Sequence, residues 1–374
     1  MDGNLNPPDP LQQTTRFAAA YQVLNDAIAA SAFPGCAFGV FSAGQVIFHD
    51  ALGHFTYEED SPAVDPETIF DIASVTKVAA TTAIAMLLYQ RGLLKLDTPL
   101  GNILPAFLDN RAQDDLARRV QLRHLLAHNS GLPGYVEFFR TAANATELMN
   151  ACLNLPLGAE PGARVEYSDP GFILLGKALE AILGEPLPAW AQREIFDPLA
   201  MTSTCFAPSP SSRSGIPPTE NDTTFRHRRI QGEVQDENAW LLNGAAGHAG
   251  LFSNVPDLLR FAAAILVSPS KNVPPGYPGT LFEPAAVELF SKRQGPEGSP
   301  QALGWDTPSE NSSSGRHFSP RSIGHLGFSG CSLWIDLDAG IAVALLTNRT
   351  WPDRKCQLIR AIRPAFHDAV RAVL

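Results

Sequence analysis

Residues 341–347 read Ile-Ala-Val-Ala-Leu-Leu-Thr, bounded by Gly340 and Asn348. A short apolar run between turn residues reads as a strand. It does not alternate with polar residues, so both of its faces must be buried. A sheet built around it therefore needs covering layers on both sides. The residues before it, CSLWIDLDAG, complete a hairpin with Asp338-Ala339-Gly340 at the turn. Near the other end of the chain, CAFGVFSAGQVIFHDALG at 36–53 reads as two more strands around a Ser42-Ala43-Gly44 turn. Helical spacing flanks both pairs. Phe17, Tyr21, Leu24 and Ile28 predict a helix from Arg16 to Ala30, ended by Pro34-Gly35, and 353–373 form an amphipathic closing helix.

The middle of the chain has a different texture. From about 97 to 250, helical patterns at 114–127, 135–153, 171–184 and 188–196 alternate with Pro and Gly. The stretch 207–220, APSPSSRSGIPPTE, is too rich in Pro and Ser for an element of its own. Pro256 opens a helix running to about Val267, capped by Ser253 or Asn254. At 374 residues the chain fits one large bilobal unit. The expected class is α+β. Residues 1–96 and 250–374 form an α/β sandwich with an antiparallel sheet flanked by helices, and 1–15 form a loose arm. Residues 97–249 form an inserted helical lobe, with the active site in the cleft between the two.

Composition removes several function classes. The formal net charge is −10 with no Lys/Arg run, which argues against nucleic acid as a partner. No apolar run reaches the ~20 residues of a membrane span, and the N-terminal residues lack a leader pattern, so a cytoplasmic location is expected. Cys36, Cys152, Cys205, Cys331 and Cys356 are scattered and odd in number, so free thiols are expected. There is no H-E-x-x-H and no cysteine pair at ligand spacing. His124 and His128 stand four apart, but packing or capping explains them better, so no metal or cofactor is expected.

The chemistry is concentrated in DIASVTKVAATTAIAMLLYQRGLL, from Asp71. Ser74 and Lys77 fall three apart, on one face at the head of an apolar helix. Serine needs a base within hydrogen-bond reach to act as a nucleophile. A poorly solvated lysine loses preference for its charged form and can be that base. The helix start adds N–H groups that favour developing negative charge. A capping serine and a solvated lysine are the alternative. A second Ser-x-x-Lys, Ser268–Lys271, runs into NVPPGYPG and cannot start a helix. Tyr167-Ser168-Asp169 sits on a loop before a helix, where Asp169 could also cap, with Pro170 at the first helical position. His325-Leu326-Gly327 lies on a strand, where the glycine lets a substrate backbone approach. The other His-x-Gly, His248-Ala249-Gly250, lies in a loop before the Pro256 helix and is set aside. Asp236-Glu237-Asn238 could reach the cleft mouth, but a solvated loop turn is the slightly favoured reading.

Ser-x-x-Lys, Tyr-x-Asp and His-x-Gly in this order resemble the serine β-lactamase and penicillin-binding protein superfamily, in its class C-like, esterase- and D-peptidase-like branch. QLRHLLAHNSGLP at 121–133, EPGARVEYSDPGFILLG at 160–176 and GHLGFSGCSLWIDLDAGIAVALLTNR resemble supporting segments of that family. PPTEND and GEVQDENAWLLNGAAGHAGLFSN resemble one subgroup, with Gln235 where that subgroup usually has His. The resemblance spans about 16–370. It implies a serine hydrolase working through an acyl-enzyme on a small-molecule or peptide substrate with an ester or amide bond, β-lactams included. Ser74 would be the nucleophile, and Lys77 and Tyr167 would share acid–base work. The N–H groups of Ser74 and Phe328 would form the oxyanion hole beside Gly327. Asp169 and His325 would face the substrate. Two departures stand out: Asp169 replaces the usual Asn, and His325 replaces the usual Lys. A carboxylate near Lys77 favours its charged form and moves the base role toward Tyr167. His325 is a weaker, pH-dependent cation. Both point from an efficient β-lactamase toward an esterase or peptidase. The alternative is a non-catalytic module that binds cell-wall peptides or β-lactams. An α/β-hydrolase is disfavoured, since no G-x-S-x-G is present.

Overall fold

The computed structural model describes residues 14–267 and 281–374, so residues 1–13 of the expected arm (1–15) and the second Ser-x-x-Lys at 268–271 lie outside the described residues, while Thr14 and Thr15 are helical rather than part of a loose arm. A five-stranded antiparallel sheet organises the molecule. Its strands are β1 (Gly35–Ser42), β2 (Gln45–Gly53), β8 (Ile323–Leu326), β9 (Ser332–Asp336) and β10 (Ile341–Thr347), in the order β2-β1-β10-β9-β8. β10 is central and wholly buried, as its apolar run requires. Its side chains sort by parity. Ala342, Ala344 and Leu346 join the core containing Leu258, Leu259 and Ala262 of the helix Val255–Val267. Ile341, Val343 and Leu345 join Leu24 of the helix Ala18–Ala29 and Phe366 of the helix Ile359–Arg371. Each fully buried Leu, Ile or Val stabilises the fold by about 1.5–3 kcal/mol. The hairpin turn is fixed by Asp336, whose Oδ1 accepts from the N–H groups of Asp338 and Ala339 at 3.1 and 3.0 Å. This is the expected α+β architecture.

The local expectations met four differences. The 114–127 pattern is not one helix. Asp115 caps a 3-10 turn at Leu116–Arg119, and the chain restarts at Gln121 as the short helix Leu122–Leu126. The 135–153 pattern likewise divides into a 3-10 turn, Phe138–Arg140, and a helix, Ala145–Leu153, capped by Asn144. The 207–220 stretch does contribute an element: β5 (Pro218–Asp222) pairs with β6 (Arg228–Gln231). Pro218 can begin a strand at an edge, where its missing N–H costs nothing. A helix at Pro284–Ser291 was not foreseen. The helix at 255 is capped by Asn254, whose Oδ1 accepts from the Asp257 N–H at 3.0 Å.

A smaller sheet places the site. β3 (Phe70–Asp71) pairs with β7 (Leu251–Ser253), which also pairs with β4 (Cys205–Phe206). The segment entering Ser74 is thereby stitched to the residues after His248. It also lies beside β8, an edge strand of the main sheet.

Candidate functional site

The segment from Asp71 does not start as a plain α-helix. A 3-10 turn at Ala73–Val75 leads into a wide π turn at Lys77–Thr82 and then the helix Ala83–Gln90. Ala73 has φ +46°, a left-handed conformation that costs a residue with a Cβ about 1–2 kcal/mol. Asp71 holds it there. One carboxylate oxygen accepts from the Ala73 N–H at 2.8 Å and the other from the Gln235 N–H at 2.7 Å. Burial pushes the Asp71 carboxyl up to about 6, although those two N–H groups pull it down. Ser74 thus sits on a braced, strained turn.

Lys77 is fully buried, and its three ammonium donors are all used. They reach Ser74 Oγ at 3.0 Å, Asp169 Oδ1 at 2.7 Å and the carbonyl of His248 at 3.2 Å. The aromatic faces of Tyr167 and Phe172 lie 4.8 and 5.6 Å from Nζ. Burial, the largest influence, disfavours the charge; Asp169 and Tyr167 together outweigh it, and Lys77 is held above its ordinary range. Burial alone would lower this lysine, and the Asp169 carboxylate beside it reverses the direction. His248 was set aside in the sequence, yet its backbone carbonyl is a first contact of Lys77. Its ring is held by Asp236 at 2.9 Å.

Tyr167 stands against both residues, with its phenol interacting with Lys77 and Ser74. The residue is 40% exposed, open to an approaching substrate on one side. Burial pushes the phenol up to about 12 against the pull of Lys77, so it keeps its proton at neutral pH. The next residue corrects a sequence expectation. Ser168, not Asp169, caps the helix Asp169–Leu183, accepting from the Gly171 N–H at 3.0 Å. The serine hydroxyl is shorter and already in extended backbone, so the carboxylate of Asp169 is released toward Lys77. His128 supports this loop. Its Nδ1 accepts from the Ser168 N–H at 2.9 Å, and its ring packs on Tyr167 and Phe172 at 4.5 and 4.9 Å. His124 caps its own helix through Gln121 at 3.1 Å.

His325 lies on β8, but it is buried rather than a surface residue at the strand edge. Its Nδ1 bonds the Leu326 carbonyl at 2.8 Å, and its ring centre is 5.9 Å from that of Tyr167. Burial, the largest influence, and the positive charge of Lys77 lower it from the ordinary imidazole range against the opposing pull of Asp306. Gly327 is required by a close approach: a Cβ there would stand 2.4 Å from the Ile72 carbonyl oxygen. Phe328 follows, 46% exposed, beneath the Arg349 guanidinium at 4.4 Å. Among the described residues, no hydrogen bond uses the N–H of Ser74 or of Phe328.

Asp236-Glu237-Asn238 is not a solvated turn. Asp236 binds His248, Glu237 binds Arg354 at 2.7 Å, and Asn238 joins the Phe139 N–H and the Val136 carbonyl at 3.1 and 2.8 Å. Gln235 spends its side chain on Glu220 at 2.9 Å. Among the described residues no three His, Cys, Asp or Glu side chains gather as a metal site, and no helix is long and apolar enough to cross a membrane.

Comparison with known proteins places these features. Residues 21–365 match the family model described as Beta-lactamase. An "N-acetylmuramyl-L-alanine amidase" of Bacillus subtilis (strain 168) is 29% identical, over 90% of this chain and 81% of that protein. A "Putative D-alanyl-D-alanine carboxypeptidase" of Escherichia coli (strain K12) is 26% identical, over 85% and 79%. A solved penicillin-binding protein homologue from Caulobacter crescentus superposes with a TM-score of 0.74 at 17% identity, covering 96% of this chain and 98% of its own.

Proposed function

This chain belongs to the Beta-lactamase family, and from that membership we propose that it is a serine hydrolase that acylates Ser74 with an amide or ester substrate. The observation carrying the reading is the Lys77 ammonium, buried and bonded at once to Ser74 Oγ and Asp169. Neither Lys77 nor Tyr167 is deprotonated at rest, because Asp169 holds the first up and burial holds the second up. The proton of Ser74 therefore enters the Lys77–Asp169 pair, as Lys77 passes one of its own protons across 2.7 Å to the carboxylate. The serine oxygen attacks, and the Ser74 and Phe328 N–H groups receive the oxyanion. Tyr167 then gives its phenol proton to the leaving group and regains one from Asp169 through Lys77. Water completes the cycle by hydrolysing the acyl-enzyme.

The names of the two relatives support a peptide amide of the cell-wall type as substrate. His325, lowered by burial, offers no fixed cation for a substrate carboxylate, which weighs against β-lactams and against peptides whose cleaved residue ends in a free carboxylate. The test is intact mass after a fluorophosphonate, followed by turnover of a short-chain nitrophenyl ester, nitrocefin and a D-Ala-D-Ala peptide. One adduct on the wild type and none on Ser74→Ala is the expected result. Full labelling of Ser74→Ala, or no labelling of the wild type, overturns the assignment. Tight binding without turnover across the panel would favour a binding module.

A further inference from the structure

Residues 327–331 form a tight loop whose backbone carbonyls are all gripped by hydrogen-bond donors. Arg363, on the closing helix, donates to Gly327 O at 2.6 Å, Cys331 O at 2.8 Å and Gly330 O at 3.1 Å. Arg349 donates through Nε to Phe328 O at 2.7 Å, and its backbone N–H to Ser329 O at 2.8 Å. Arg363 is buried, and among the described residues neither arginine has a carboxylate within salt-bridge distance. A buried guanidinium without a counter-ion is costly. Here only carbonyl dipoles answer its charge.

One of those carbonyls matters more than the rest. Gly327 C=O and Phe328 N–H are the two ends of a single peptide unit. Drawing electron density toward the carbonyl oxygen strengthens the N–H at the other end as a donor. The same contact fixes the peptide plane, which Gly327 presses against Ile72, two residues before Ser74. We propose that Arg363 is a positioning residue that orients and polarises the Gly327–Phe328 peptide, making the Phe328 N–H a stronger donor to the oxyanion. It never touches substrate. Its side of the loop faces the closing helix, and the chemistry lies on the other. The role rests on the acyl-enzyme reading above and deepens it.

The experiment compares wild type, Arg363→Lys and Arg363→Met, each counted by fluorophosphonate labelling so that rates refer to competent sites. If the wild type does not label, the acyl-enzyme reading fails before the arginine is tested. With labelling intact, Arg363→Met lowers kcat about 10²-fold, near the low end for losing one oxyanion donor. KM changes little. The carbonyl stretch of the acyl-enzyme moves to higher wavenumber, because the acyl oxygen is less polarised. Arg363→Lys keeps the charge but loses the fork, and falls between wild type and Arg363→Met on both measures. It also serves if Arg363→Met does not fold. A lower Tm with kcat per labelled site and the carbonyl stretch both unchanged, in whichever variant folds, would overturn the proposal and leave Arg363 a purely structural clasp.

Discussion

Asp169 decides how this site differs from a plain serine–lysine pair. It bonds Lys77 at 2.7 Å and opposes the burial that would otherwise neutralise it. In Asp169→Asn the lysine loses its strongest support and falls, so neutral Lys77 is populated at lower pH. If Asp169 is also the proton acceptor, kcat at pH 7 drops about 10²-fold in the same variant. A rise in kcat would mean that the carboxylate merely restrains Lys77. Ser168→Ala tests the cap that frees this carboxylate, with an expected loss of about 1 kcal/mol in denaturant unfolding. Spacing made Ser74, Lys77, Tyr167 and Asp169 legible as candidates in the sequence. It left hidden what depends on long-range approach. The carbonyl of His248 carries no side-chain signature, and Arg363 looks like any other arginine of an amphipathic helix.

The elements explain which patterns could be read. β10 was legible because an unbroken apolar run has one solution, burial on both faces. The 114–127 pattern misled because periodicity ignores caps. Asp115 and the Gln121–His124 box each end or begin a turn inside an otherwise helical spacing. β5 was hidden by composition, since Pro and Ser mark loops until a partner strand is known. At the junction of β8 with the Ser74 turn, Gly327 leaves no room for a Cβ against the Ile72 carbonyl. Gly327→Ala should cost about 1–3 kcal/mol of stability as the neighbouring backbone gives way. Because that shift moves the Phe328 N–H, kcat should fall further than Tm alone explains, measured on labelled sites.

Over the whole molecule, charged clasps join distant segments. Arg354 reaches Glu220 on β5 and Glu237 after Gln235, tying the chain beyond β10 to both. Both carboxylates are buried. Arg354→Met should destabilise by about 3 kcal/mol, because two buried acids lose their cation. Adding Glu237→Gln should recover part of that loss in urea unfolding. Ser74 itself depends on the same kind of closure. The carbonyl of Asp71 accepts from the Ser329 hydroxyl at 2.7 Å, across 258 residues of chain. During synthesis the serine, the lysine and the tyrosine all leave the ribosome before the strand that completes their surroundings. Contacts so far apart in sequence are among the slowest to form. A nascent or truncated chain ending before β8 would carry every polar group of the proposed mechanism except the Phe328 N–H, yet stay chemically silent. Reactivity toward a fluorophosphonate would then report that the last strands had paired.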